Sequence, residues 1–211
     1  MSVLKGEGTT VMLYGSTDVS TGSRSYPGYL ARPDLRGEWP TVVVTSPLDG
    51  AASSVKAICR AIARHGVAAV APAPGGLDPF IGFITNPAGH WSNAEYGFGV
   101  LGLGDGSDSA MLEAAESDLV VAVAVVDPVF DDATISMLGD VDVSMLGCSG
   151  RDASERVDDA RAAVPQAEWV VYDGAGAGYW DIDADGYVSS AADDTGDRVV
   201  EFFSKTLPVR V

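Results

Sequence analysis

The stretch that most constrains this chain is residues 97–110, G-F-G-V-L-G-L-G-D-G-S-D-S-A. An apolar run (Phe98, Val100, Leu101, Leu103) meets a tight glycine-rich turn and then a segment of helical spacing over 107–116. Strand, sharp turn and helix in that order describe a nucleophile elbow, where the pattern G-x-Nuc-x-G raises one side chain above the end of a sheet strand. The flanking glycines are needed because the turn is strained and the helix passes close to the strand. In this chain the frame is Gly102-Leu103-Gly104-Asp105-Gly106. The apex holds Gly104 where the pattern places Ser, Cys or Asp, so the fold is legible and the chemistry is withheld.

Residues 9–14 and 25–30 read as two strands joined by a Gly/Ser turn over 15–23. The run T-V-V-V-T over 41–45 is continuous and β-branched, as in a strand buried on both faces. A helix is expected over 53–65, with Val55, Ile58, Cys59, Ile62 and Ala63 on one face and Gly66 ending it. Further strands are expected over 67–71, 119–126, 141–146 and 169–172, and helices over 157–163 and 197–207. Asp127-Pro128 stops the 119–126 strand. Residues 73–93 read as a long irregular loop with exposed-looking Phe80, Phe83 and Trp91, and residues 173–192 as a Gly/Asp-rich loop. Buried strands alternating with helices predict an α/β protein, mostly parallel, with helices on both faces. In such sheets the site lies beyond the carboxyl ends of the strands. That directs attention to the loops 46–50, 73–93, 104–107, 147–153 and 174–187.

At 211 residues the chain is expected to form one domain over 1–211. Its net charge of −17, with only three lysines, argues against nucleic acid and against anionic membranes, both of which would repel it. No apolar run is long enough to span a bilayer. The first residues lack an apolar signal region, so the expectation is a soluble, cytoplasmic protein. Cys59 and Cys148 lie far apart in a chain without a secretion signal and are expected as free thiols.

Several segments together resemble the dienelactone hydrolase family of α/β-hydrolases. They are G-Y-L-A-R-P over 28–33, the strand over 41–45 with Gly50, and the helix–strand pair over 61–72. Residues 99–106, L-G-C-S-G-R-D over 146–152 and Y-D-G-A-G-A-G-Y over 172–179 continue the likeness along nearly the whole chain. The resemblance implies the α/β-hydrolase fold. The segment between Pro72 and Gly97 is short for the family, so a crossover helix there is expected to be lost or reduced. The resemblance also implies a triad of nucleophile, acid and His. Position by position, the nucleophile falls on Gly104, the acid on Asp152 and the His on Ala177, between Gly176 and Gly178. The family's Glu after the third strand falls near Pro47, in the loop containing Ser46 and Asp49. Two of the three triad positions thus lack a functional group.

Acyl transfer of this type needs an activated nucleophile and a base within hydrogen-bond reach. Losing triad members costs roughly three to six orders of magnitude in rate. The backbone N–H of Asp105 is still placed to form half an oxyanion hole at a helix N-terminus. Among possible substitutes, Ser107 reads as a helix cap, Cys148 as a buried small side chain, and His65 as a helix-end group. His90, between Gly89 and Trp91, is the better candidate for a general base. Asp49, Asp105, Asp152 and Asp181 are expected at strand carboxyl ends. They read as turn residues or, if they converge, as an acidic mouth suited to a cationic or hydroxylated ligand. Tyr179 and Trp180 are expected to line it. Residues 181–186, D-I-D-A-D-G, resemble the start of a calcium loop but lack its closing Glu at position 192, which is Ala, so no metal is expected.

Three functions remain open on the sequence. One is small-molecule binding or non-hydrolytic catalysis (isomerase, cyclase or lyase type) in a pocket without a triad, with Asp105, Asp152 and His90 as acting residues. Another is an ester or lactone hydrolase with its nucleophile relocated to Cys148 or Ser107. The last is a non-enzymatic scaffold or subunit. The expected partner is a small molecule, with no cofactor; a homodimer is left open.

Overall fold

The computed structural model describes residues 10–48, 52–86, 91–151 and 156–207. Eight strands form one sheet in the order β1-β2-β4-β3-β5-β6-β7-β8. They are β1 Met12–Thr21, β2 Arg24–Pro33, β3 Thr41–Thr45, β4 Ala68–Pro72, β5 Phe98–Leu103, β6 Val120–Val126, β7 Ser144–Gly150 and β8 Glu168–Tyr172. β1 and β2 pair antiparallel, as do β2 and β4, and every other pairing is parallel. The central strands are β-branched or small and buried along their length, as expected of parallel strands covered on both sides.

The strand period of two sorts these residues between two cores. Val42, Val44, Leu101, Leu103, Ala124 and Val126 face one side, where α1 (Ser53–Arg64) and α6 (Ser189–Thr206) pack. Val43, Val100, Val123 and Val125 face the other. That side is covered by α2 (Leu77–Ile84), α3 (Gly106–Glu116), α4 (Asp132–Leu138) and α5 (Val157–Ala163). The expected parallel α/β architecture with helices on both faces is the one observed. Helix α1 buries Val55, Cys59, Ile62 and Ala63 of the stripe its spacing predicts, together with Ser54, while Ile58 is only partly buried. Both cysteines are free and buried.

Several local expectations are corrected. The 15–23 turn is mostly strand: β1 runs to Thr21 and the turn is Gly22-Ser23. This edge hairpin is largely solvated, so polar residues within it do not signal a loop. Residues 73–93 are not wholly irregular, because α2 occupies Leu77–Ile84, with Pro79 in its first turn where a missing N–H is tolerated. This eight-residue helix lies in the connection between β4 and β5, so the crossover helix is not lost. Phe80 is fully buried rather than exposed. Helix α4 was not anticipated, although Asp131 caps it by accepting from Thr134 N–H at 2.8 Å. Strand β7 lies three residues later than expected and continues through Gly150, held between β6 and β8. Helix α6 starts at Ser189, eight residues before the expected 197.

α6 binds the sheet through Ala191, Thr195, Val199, Val200 and Phe203. Phe203 is fully buried, with its ring where a Cβ on Gly99 would come within 2.6 Å. Phe203→Ala is expected to cost about 3–5 kcal/mol, measured as a lower denaturant midpoint at unchanged m-value.

Candidate functional site

The turn between β5 and α3 is built by close approach. A Cβ on Gly102 would sit 2.4 Å from Ser107 Cα and 2.9 Å from Ala110 Cβ. One on Gly106 would meet the Thr45 carbonyl oxygen at 2.5 Å. Thr45 Oγ1 donates to the Gly106 carbonyl at 2.7 Å, tying the start of α3 to β3. Between these two positions Gly104 has φ +55°. Its N–H donates to the Val126 carbonyl at 2.8 Å, and its carbonyl accepts from Ser107 N–H at 2.9 Å. At Gly104 a Cβ would meet only Trp180 Cζ2, at an ordinary 3.6 Å. Packing therefore forbids a side chain at 102 and 106 and leaves room for one at 104.

Above this turn lies an open cleft of about 530 Å³. Its lining comes from the loops after β3 (Pro47, Leu48), β5 (Gly104, Asp105), β6 (127–130) and β8 (Ala177, Gly178, Trp180, Asp181), with Arg156 before α5. This is the crevice beyond the strand carboxyl ends that parallel sheets present. A neighbouring cavity of about 280 Å³ shares Pro47 and Asp105 with it and contains Ser46.

Asp127, read from sequence only as a strand stop, is the principal polar group of the cleft. It is 7% exposed. It is also the non-glycine residue with positive φ, +55°, among those described. Its N–H donates to the Cys148 carbonyl at 2.7 Å. Its Oδ2 accepts from Gly178 N–H at 2.6 Å, while Oδ1 is buried with no partner among the described residues. Burial pushes the carboxyl above the ordinary aspartate range; the Gly178 amide opposes this in part, and the Asp105 charge adds to it. The signal available in sequence was an acidic residue directly after a fully apolar strand in a parallel fold.

Asp105, Asp181, Trp180, Gly104 and Ala177 line the one cleft. Tyr179 does not: it is fully buried in the core, with its hydroxyl 2.9 Å from Thr195 Oγ1. Cys148 is also fully buried, its thiol pushed up to about 12 by burial. Ser107 is buried within the first turn of α3 rather than capping it, and its Oγ has no partner among the described residues. His65 Nδ1 lies 2.8 Å from the Ala61 carbonyl at the far end of α1, a helix-end contact. His90, Asp49 and Asp152 lie outside the described residues. Residues 181–186 form turns closed by Asp181 Oδ1, which accepts from Asp183 N–H at 3.1 Å. Among the described residues no three His, Cys, Asp or Glu side chains converge to hold a metal. None of the described helices is long and apolar enough to cross a membrane.

No protein-family model matches the chain. A "putative carboxymethylenebutenolidase" of Yersinia pestis is 34% identical over 59 residues, which span 28% of this chain and 22% of that protein. Among solved structures, a "putative dienelactone hydrolase" from Klebsiella pneumoniae superposes with a TM-score of 0.81 at 20% identity, covering 92% of this chain and 99% of that one. The dienelactone hydrolase of Anabaena variabilis gives 0.72 at 16% identity, covering 93% and 99%. Est1E of Butyrivibrio proteoclasticus gives 0.72 at 12% identity, covering 90% and 100%. The chain therefore has the α/β-hydrolase fold. Within that fold its structural neighbours include dienelactone hydrolases, in agreement with the resemblance carried by its sequence motifs.

Two outcomes follow from this geometry. The folded-state pKa of Asp127 is raised above its unfolded value, so its ionisation destabilises the fold. Stability linked to this group is complete below the unfolded pKa, about 3.9, and falls as pH rises through the folded value. Asp127→Asn keeps the Gly178 contact and suits positive φ. Its melting temperature is expected to gain on the native protein as pH rises, in scans from pH 4 to 8. Separately, Gly104→Cys is expected to react readily with iodoacetamide, whereas native Cys59 and Cys148, both buried and pushed up to about 12, stay unmodified under the same conditions.

Proposed function

We propose that this protein uses the cleft of a dienelactone hydrolase-like fold to bind a small molecule, with any chemistry there non-covalent (isomerisation, cyclisation or elimination) rather than acyl transfer. One observation carries the reading. The apex of the elbow, at φ +55° and with space above it, holds Gly104, which has no atom to attack with. Ala177, where the resemblance places the imidazole, lines the same cleft and has no nitrogen on its side chain. What the cleft does hold is Asp127, a carboxyl suited to donate or accept a proton, beside Asp105 and Asp181. Burial of Cys148 and Ser107 weighs against a relocated nucleophile at either position. An open cleft of this size weighs against a role confined to the outer surface.

The test is a panel of activated p-nitrophenyl esters and lactones incubated with purified protein. The expected result is turnover at the uncatalysed rate with no stoichiometric burst of product. Turnover that copurifies with the protein and falls on Asp152→Ala or on thiol alkylation would overturn the proposal.

A further inference from the structure

Asp127 is 93% buried by its 7% exposure, yet only one of its carboxyl oxygens is satisfied. An ionised oxygen with no partner in such a place costs the full desolvation of that group. A bound molecule with a hydrogen-bond donor removes that cost, and the groups around the carboxyl indicate which kind. From the β5–α3 turn comes Asp105, and from the loop after β8 come the Gly178 amide and Asp181. Tyr179, in that same loop, is turned into the core toward Thr195. Pro47 and Leu48, after β3, carry no charge. The nearby cation is Arg156, already committed through Nε to Asp159 at 2.9 Å and through Nη1 to Asp132 at 2.7 Å. The cleft thus presents more negative charge than Arg156 offsets. Its walls are apolar and aromatic, with Trp180 and Phe130 among them.

We propose that Asp127 anchors a small primary ammonium with an apolar body, the ammonium N–H donating to its carboxylate where it lines the cleft and the body lying against Trp180 and Phe130. This rests on the reading of the cleft as a small-molecule site rather than an acyl-transfer centre. A cation gains from Asp105 and Asp181 as well as from Asp127, and from the faces of the aromatic rings. A neutral alcohol of the same shape makes the hydrogen bond without the charge attraction. A carboxylate meets repulsion from all three acidic groups. The raised pKa of the Asp127 carboxyl adds a signature: the ammonium favours the ionised form, so its binding expels a proton.

The experiment is titration calorimetry of the full chain with benzylamine, benzyl alcohol and phenylacetate at 0.15 M salt, in two buffers of different ionisation enthalpy. Benzylamine is expected to bind with a buffer-dependent enthalpy showing proton release that fades as pH rises and the free carboxyl is already ionised. Phenylacetate should bind about tenfold or more weakly than benzylamine. Asp127→Asn, whose folding is checked by its melting transition, should lose about tenfold or more of the benzylamine affinity and abolish the proton release. Asp142→Asn, which removes the same charge from an exposed position, should change neither. Equal binding of benzylamine by the native protein and Asp127→Asn overturns the inference, as does equal binding of phenylacetate or no binding of benzylamine at millimolar concentration. These outcomes leave the ester panel unaffected, so loss of the ammonium anchor is distinguishable from discovery of an acyl-transfer enzyme.

Discussion

The contact of Gly102 with the first turn of α3 fixes everything at the mouth of the cleft. Strand and helix approach until a single methyl group at 102 would overlap the Ser107 backbone, and Gly106 meets the end of β3 just as closely. Backbone against backbone cannot yield as a flexible side chain can, so overpacking here is costly. The Thr45 hydroxyl, bonded to the Gly106 carbonyl, locks the third element. The path of the chain through 103–105 is then determined before any side chain at 104 is considered. The apex is thus a product of the fold rather than of a catalytic group.

The same logic extends to the neighbouring strand ends. Gly104 N–H bonds to Val126, and the next residue, Asp127, bonds through its own N–H to Cys148. The ends of β5, β6 and β7 are thereby laced in sequence. The loop after β8 closes on them through Gly178 N–H and the Asp127 carboxylate. A carboxyl that serves as a structural acceptor on one oxygen is held still, which is what a binding or proton-handling group requires. Its elevated pKa follows from the same burial that fixes its position.

Much of the frame could be read from residue order. The runs T-V-V-V-T and V-V-A-V-A-V-V can be buried on both faces, and that requires parallel neighbours and helices above and below. The elbow glycines were legible because their spacing reflects a steric requirement. What resisted reading were elements whose identity depends on tertiary partners. These are the polar hairpin strand β1, the short helix α4, and β7, whose Ser and Gly residues form strand only between β6 and β8. Asp127 resists reading for a related reason. An Asp before a Pro is an ordinary strand terminator, and nothing local reveals that the loop after β8 folds back to enclose it. Tyr179 erred in the opposite sense, a polar-tipped ring expected at the cleft that satisfies its hydroxyl inside the core.

Backbone strain gives the clearest contrast between the two strand ends. A left-handed conformation costs an ordinary L-residue about 1–2 kcal/mol, less for Asp or Asn, and is free for glycine. At the elbow the conformation is kept, but glycine relieves its cost, so residue 104 stores no strain. One strand over, at the end of β6, a non-glycine residue adopts φ +55° and carries a buried, half-satisfied carboxyl into the same cleft. Strain tolerated at a polar residue in a cleft points toward function more than strain relieved does. That contrast supports the proposed reading, in which the end of β6 carries the acting group and the elbow serves as its scaffold.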